Sequence, residues 1–221
     1  MLSTYVKDPQ IPARGCVIWM HGLGADASDM AGLAEHPLIA ALPVRHVFID
    51  APVRPVTLNA GMSMRAWYDI MGMELTDRED KKGILESEQG ILAVIDAQIA
   101  AGFRHEQIVL AGFSQGGAMA LYTALHREKK LGGVIALSSY LPMASQCLAA
   151  LSLDTPFFLA GGEYDPIVRP DWTRQSQQWL SAKGYKNITW RQYPMEHNIC
   201  VQEISDIAAW LSTHLTGAQG A

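Results

Sequence analysis

The chain has 221 residues, 49% hydrophobic and 18% charged, with a formal net charge of −5. This is enough for one sizeable core, and nothing forces a second domain; a single domain over 1–221 is expected, with its core from about 14 to 215. An acidic chain without a Lys/Arg cluster excludes a nucleic-acid partner, which would need a basic face to meet phosphates.

Met1 to Gly15 has no basic stretch followed by a long apolar core, so a cytoplasmic protein without stable membrane insertion is expected. Cys16 to Met20 is a continuous apolar run, as in a strand covered on both faces. His21-Gly22-Leu23-Gly24-Ala25-Asp26 reads as a loop, followed by a helix through Met30, Leu33 and Ala34 that Pro37 interrupts. Arg45 to Ile49 reads as a second strand, stopped by Asp50-Ala51-Pro52. From Pro52 to Asp80 the pattern is irregular, with an aromatic and Met-rich stretch from Met62 to Leu75. Ile91, Leu92, Ile95 and Ile99 fall at helical spacing within Ile84 to Ala101, and Gly102 sits where a helix stops. Strand-like runs recur at Ile108 to Ala111, Gly133 to Leu137, Pro156 to Ala160 and Ile188 to Tyr193, with helices read over Asp171 to Ala182 and Ile199 to Leu215. Alternation of strand and helix predicts an α/β fold, a mostly parallel doubly wound sheet with helices on both faces. Cys16, Cys147 and Cys200 are odd in number and lack C-x-x-C spacing, which fits a reducing compartment; Cys16 and Cys200 read as small buried hydrophobes.

Gly112-Phe113-Ser114-Gln115-Gly116 matches G-x-S-x-G between a strand and a helix. A serine in such a sharp turn projects its hydroxyl over the carboxyl end of a sheet, and glycines are needed where strand and helix close up. The positive end of the following helix faces a developing oxyanion. A glycine-rich turn without chemistry would show the same five residues, so partners decide. A serine nucleophile needs a base, and the base needs a carboxylate, in the chain order Ser, acid, His. Asp165 follows the Pro156 to Ala160 strand and is the favoured acid. Asp154 precedes that strand, Asp171 reads as helical, and Glu163 is the nearest competitor. His126 lies about three turns down the nucleophile helix, too far to reach Ser114. His214 suits the end of the closing helix. His197, between the last strand and the closing helix, is the favoured base. The backbone N–H groups of Gln115 and Leu23 are the expected oxyanion donors.

His21-Gly22-Leu23-Gly24, Trp67-Tyr68-Asp69, Gly112 to Gly117, Gly161 to Val168 and the His197 loop together resemble the phospholipase/carboxylesterase family of small α/β-hydrolases, the group containing bacterial carboxylesterases and acyl-protein thioesterases. The resemblance runs from about Arg14 to Leu215. It implies an α/β-hydrolase fold without a large lid domain, a triad of Ser114, Asp165 and His197, oxyanion donors Leu23 and Gln115, and neither cofactor nor metal. One departure is Glu196, where the family has glycine before the histidine; a carboxylate turned toward the ring would favour imidazolium.

Trp67, Ile70, Met71, Met73 and Leu75 are the expected acyl-binding wall, since methionine suits a pocket that adapts to varied chains. A loop folded onto the core would have the same composition. Exposed apolar surface there would also suit a homodimer. The expected function is hydrolysis of short- to medium-chain carboxylic esters through an acyl-enzyme, with an acyl-protein thioesterase or lysophospholipase as the alternative use of the same triad. A remote alternative is dinucleotide binding, since Gly22-x-Gly24-x-x-Ala27 follows a strand and Asp50 ends the next. Against it, Pro37 breaks the crossover helix, Gly24 to Asp50 exceeds the usual ~20 residues, and Ser114, Asp165 and His197 are left unexplained. A hydrolase-fold binding module without catalysis would not need all three.

Overall fold

All six residues of Gly15–Met20 are buried because their side chains alternate between two separate cores. Cys16, Ile18 and Met20 enter one core, and Val17 and Trp19 the other. This is how a continuous apolar run becomes a central strand of a two-faced sheet. The protein is described by a computed structural model covering residues 2–72, 74–75, 78–147 and 152–216.

Along the chain the elements are β1 (Thr4–Lys7), β2 (Gly15–Met20), α1 (Ala27–Ala31), α2 (Pro37–Ala40), β3 (Val44–Ile49), β4 (Val53–Val56), β5 (Met62–Arg65) and α3 (Lys81–Ala100). β6 (Ile108–Phe113) and α4 (Gln115–Leu125), joined through Ser114, come next. β7 (Gly133–Leu137), β8 (Phe157–Gly162), α5 (Pro170–Ala182), β9 (Ile188–Tyr193) and α6 (Val201–Leu211) complete the chain. The main sheet has the order β1-β3-β2-β6-β7-β8-β9, and β4 pairs with β5 as a separate hairpin. β1 is antiparallel to β3; every other pair in the main sheet is parallel. The sheet is therefore the mostly parallel one expected. One core, under α3, α4 and α5, holds Ile84, Ile91, Met119 and Leu180; the other, under α1, α2 and α6, holds Met30, Ile39, Ile207 and Leu211.

Several local features follow the sequence closely. Pro37 opens α2 at its first turn, splitting the expected helix into α1 and α2 with a 3-10 turn at Gly32–Glu35 between them. Gly102 has φ +103, the left-handed backbone that ends α3. Two features were not expected: the edge strand β1, mostly exposed, and the β4–β5 hairpin inside the irregular stretch. All three thiols are free; Cys16 is buried as expected, whereas Cys200 is half-buried. No helix of the described residues is long and apolar enough to cross a membrane.

From β2 the chain runs outward to β3, and it later returns to the other side of β2 with β6. That reversal makes a crevice at the carboxyl ends of β2 and β6, where folds of this kind bind ligands. His21 and Ser114 leave the sheet there.

Buried polar groups are mostly matched. The Trp19 indole donates to His46 Nδ1 at 3.0 Å. Burial pushes the His46 pKa down to about 4, so that ring is neutral. Glu203, on the first turn of α6, is different: it is wholly buried, and neither carboxylate oxygen has a hydrogen-bond partner among the described residues. Burial, only partly offset by the nearby Cys200 amide, pushes its carboxyl up from 4.5 to about 8. The folded state thus keeps a proton that the unfolded chain gives up near 4.5, so stability falls as pH rises from there to about 8 and is level above. Glu203→Gln is expected to raise Tm over wild type by a margin that is small near pH 4.5 and widens toward pH 8. Thermal melts across that range check it, and a margin independent of pH would show the carboxylate to be ionised in the fold.

Candidate active site

Ser114 has φ 54 and ψ −121, a backbone that side-chain-bearing residues rarely adopt. Strain of about 1–3 kcal/mol is typical of such positions and persists only when the surroundings fix it. Here its amide donates to Leu137 O at 2.8 Å, and its carbonyl accepts from Ala118 N at 3.0 Å. A methyl on Gly112 would run into the Gly116 carbonyl group, and one on Gly116 into the Met20 carbonyl. Glycine at both positions is therefore a packing requirement.

The hydroxyl so presented meets the side chains expected of it. His197 Nε2 lies 3.0 Å from Ser114 Oγ, and His197 Nδ1 lies 2.7 Å from Asp165 Oδ2. The other oxygen of Asp165 accepts the amides of Ile167 and Val168, each at 2.9 Å. Asp165 is buried, and burial alone would raise its carboxyl. The bonds from His197, Val168 and Ile167 more than offset that and hold it below its ordinary value. An ionised Asp165 only accepts, so Nδ1 carries the proton and Nε2 is left to accept from the serine. The Phe113 ring packs at 4.6 Å from the imidazole and fixes its tilt. This arrangement can draw a proton from Ser114 Oγ and stabilise the resulting imidazolium.

The competing residues lie elsewhere or face water. Glu163, Asp154 and Asp171 are exposed, as is Glu196, which leaves the imidazole to Asp165 alone among the described acids. His126 Nδ1 bonds to Tyr122 O at the end of α4, and His214 Nδ1 to Trp210 O. Asp50, the ribose-binding residue of the dinucleotide alternative, is committed: Oδ1 accepts the Ala27 amide at 2.9 Å and Oδ2 pairs with Arg65 at 3.2 Å. The helix after the glycine loop has only five residues, short for a dinucleotide-binding crossover.

Leu23 and Gln115 stand at the two loops flanking Ser114. Gly24 N donates to Arg65 O and Ala25 N to Gly22 O, while among the described residues the Leu23 and Gln115 amides donate to no protein acceptor. A Cβ built on Gly22 would sit 3.4 Å from Ser114 Cβ, so the Leu23 loop abuts Ser114.

Two contributions were not read from the sequence. His21 is buried, with Nδ1 2.7 Å from Gly22 O and Nε2 accepting the Ala51 amide at 3.0 Å. Burial pushes its pKa down, against the Gly22 bond that favours the charged ring. The neutral ring therefore pins the start of the glycine loop to the end of β3; its only signal was a histidine directly after an apolar strand. The Gln115 side chain is also engaged: Oε1 accepts the Trp67 amide and Nε2 donates to Tyr68 O, each at 2.7 Å.

That clamp takes part of the expected acyl wall into the core. Trp67 and Ile70 are buried in the core, with the Trp67 indole donating to His21 O at 2.9 Å. Met71 and Leu75 are half-buried, Leu75 packing near Tyr140, Val168 and Trp172, and Met73 lies outside the described residues. Main-chain and indole hydrogen bonds draw this stretch inward. A cleft beside Ser114, about 540 Å³, is walled by Leu23, Met30, Phe113, Ile167 and Ile199, with Asp29 and Asn198 at its polar side. A larger groove of about 630 Å³ is lined by Arg14, Arg104, Lys130 and Asp154, away from Ser114.

Replacing Asp165 with Asn removes the acceptor that sets the His197 tautomer. The kcat of Asp165→Asn is expected to fall about 10⁴-fold with an unchanged fold, read by steady-state kinetics beside circular dichroism; a loss under tenfold would mean another carboxylate serves.

Comparison with known proteins finds relatives over nearly the whole chain. Residues 2–215 match the family model described as Phospholipase/Carboxylesterase. Acyl-protein thioesterase 1 of Yarrowia lipolytica is 37% identical over 218 residues, covering 93% of this chain and 96% of the relative. The crystal structure of Arabidopsis thaliana SOBER1 superposes with a TM-score of 0.83 at 28% identity, over 92% of this chain and 100% of that one. Acyl-protein thioesterase 2 of Zea mays shares the fold at TM-score 0.85 and 24% identity, over 96% of this chain and 99% of the other. With its seven-stranded sheet and matched length, this chain is a serine hydrolase belonging to the phospholipase/carboxylesterase family of α/β-hydrolases.

Proposed function

We propose that the protein hydrolyses acyl thioesters carried on proteins or peptides, together with carboxylic esters of similar acyl groups, through an acyl-enzyme on Ser114. The observation that carries this is the His197 ring bonded to Ser114 Oγ on one side and Asp165 on the other. The sequence put carboxylic esters first; relatives named acyl-protein thioesterase 1, such as those at 37% and 34% identity, favour the thioester. Three free thiols support a reducing, cytoplasmic setting.

In this mechanism His197 Nε2 takes the Ser114 hydroxyl proton as Oγ bonds to the acyl carbon. The carbonyl electron pair moves onto oxygen, and the Leu23 and Gln115 amides stabilise that charge. The pair returns, the C–S or C–O bond breaks, and the leaving thiol or alcohol receives the proton from His197. Water then repeats the sequence on the acyl-enzyme, with His197 as base and Ser114 as the leaving group. Asp165 holds the imidazole and stays ionised. The acyl chain lies in the cleft of Leu23, Met30, Ile167 and Ile199, apolar side chains placed beside the nucleophile.

Each methylene placed in that cleft adds about 0.8 kcal/mol, nearly fourfold in kcat/KM, until the chain outgrows it. A series of p-nitrophenyl esters and S-acyl peptides of increasing length should show that rise and then a plateau, with Met30→Trp moving the plateau to shorter chains. Ser114→Ala should lose turnover of both series. Wild-type rate in that variant would sink the mechanism; ester turnover without thioester turnover, or a preference for lysophospholipids, would reassign the substrate.

A further inference from the structure

The two amides that meet the oxyanion belong to separate elements, Leu23 to the loop after β2 and Gln115 to the first residue of α4. Their separation has to be fixed to within a fraction of an ångström for both to reach one oxygen. The hydrogen bonds around the Arg65–Tyr68 segment show what fixes it. Arg65 O accepts the Gly24 amide at 2.8 Å, on one side of Leu23. The Trp67 indole donates to His21 O at 2.9 Å, on the other side. The same segment is held by the Gln115 side chain through the Trp67 amide and the Tyr68 carbonyl, and the Ser87 hydroxyl of α3 donates to the Trp67 carbonyl. At its outer end the Arg65 guanidinium bonds Asp50 Oδ2 at 3.2 Å and Ala51 O at 3.1 Å. Asp50 in turn caps the α1 start at Ala27, and Ala51 N donates to His21 Nε2.

We propose that residues 65–68 form a brace that sets the distance between the Leu23 and Gln115 amides, with the Gln115 side chain and Arg65 as its positioning residues. This rests on the oxyanion role assigned to those amides above. Gln115 then has two separate tasks: its backbone N–H faces the substrate, and its buried carboxamide grips the brace. Only a carboxamide fits the second task, because it must accept from an N–H and donate to a C=O at once. Glutamate would keep the acceptor, lose the donor and bury a charge; methionine would fill the volume and do neither. Arg65 works from a half-exposed position, so its removal leaves the core intact.

Gln115→Met keeps the backbone amide and the side-chain volume, and Arg65→Met keeps the Gly24 bond to the main chain. Each is expected to lower kcat about 10- to 100-fold, the size of a misplaced catalytic contact, with KM for a p-nitrophenyl ester unchanged. Affinity for a trifluoromethyl ketone, which forms a tetrahedral oxyanion on Ser114, should weaken by the same factor, and Arg65→Lys should recover most of both losses. Circular dichroism and Tm establish that each variant is folded; Arg65→Met carries the test if Gln115→Met is not. Unchanged kcat in a folded variant, a loss expressed in KM, or unaltered ketone affinity would overturn the brace. Wild-type turnover in Ser114→Ala would instead overturn the reading of the site on which the brace depends, so the two failures are separable.

Discussion

A side chain cannot fit between the first turn of α4 and the carbonyl end of β2: even a methyl on Gly116 would strike the Met20 carbonyl. That close approach brings the Gln115 amide and the loop after β2 to the same point above the sheet. It also leaves the chain between β6 and α4 no ordinary backbone, which is why Ser114 sits at φ 54. The strain is a local cost that the parallel pairs β2·β6 and β6·β7 hold in place. Ser114 N bonding to Leu137 O ties the elbow directly to β7. The sheet positions Ser114 through the backbone, and its side chain is not spent on the task.

The remaining groups reach Ser114 because parallel strands place all their outgoing loops on one edge. Asp165 leaves β8 and His197 leaves β9 on the side where β6 ends. Each is then made rigid in a different way. Asp165 is buried and saturated by two amides and the imidazole, so its charge has no other use. His197 is held between Asp165 and the Phe113 ring and has one nitrogen free for the hydroxyl. Desolvation by itself raises the carboxyl, and the hydrogen bonds from His197, Val168 and Ile167 outweigh it. The balance favours a carboxylate behind the imidazole.

Those features were legible in sequence because each has a local signature. Buried parallel strands read as apolar runs, Gly112 and Gly116 mark the elbow, and Asp165 and His197 follow strands in the required order. β1 was not legible: it is a short edge strand whose Tyr5 is 53% exposed, so it carries no apolar pattern. The β4–β5 hairpin has Pro55 within its first strand and Met62 largely exposed, which hides it for the same reason. Apolar content says that a segment packs against something, not which surface it packs against. Trp67 goes inward through bonds to His21 and Gln115, partners 46 and 48 residues away. The residues that line the cleft, Met30, Ile167 and Ile199, are scattered singly through three loops and short elements, and no run of sequence collects them.

Asp50 shows how one pattern serves two folds. A glycine loop after a strand and an acid after the next strand suit a dinucleotide as well as a hydrolase, and the difference lies in what the acid holds. Here it holds protein: the first turn of α1 and the guanidinium of Arg65. His21 and Gly24 are likewise bound, one to Ala51 and the other to Arg65. Between them Leu23 presents an amide that no described residue accepts. A flexible loop with a spare donor would solvate it and reorganise when charge appeared, at a cost in rate. A loop tied on both sides keeps its donor aimed before any charge appears, and such preorganisation is what a donor to an oxyanion needs.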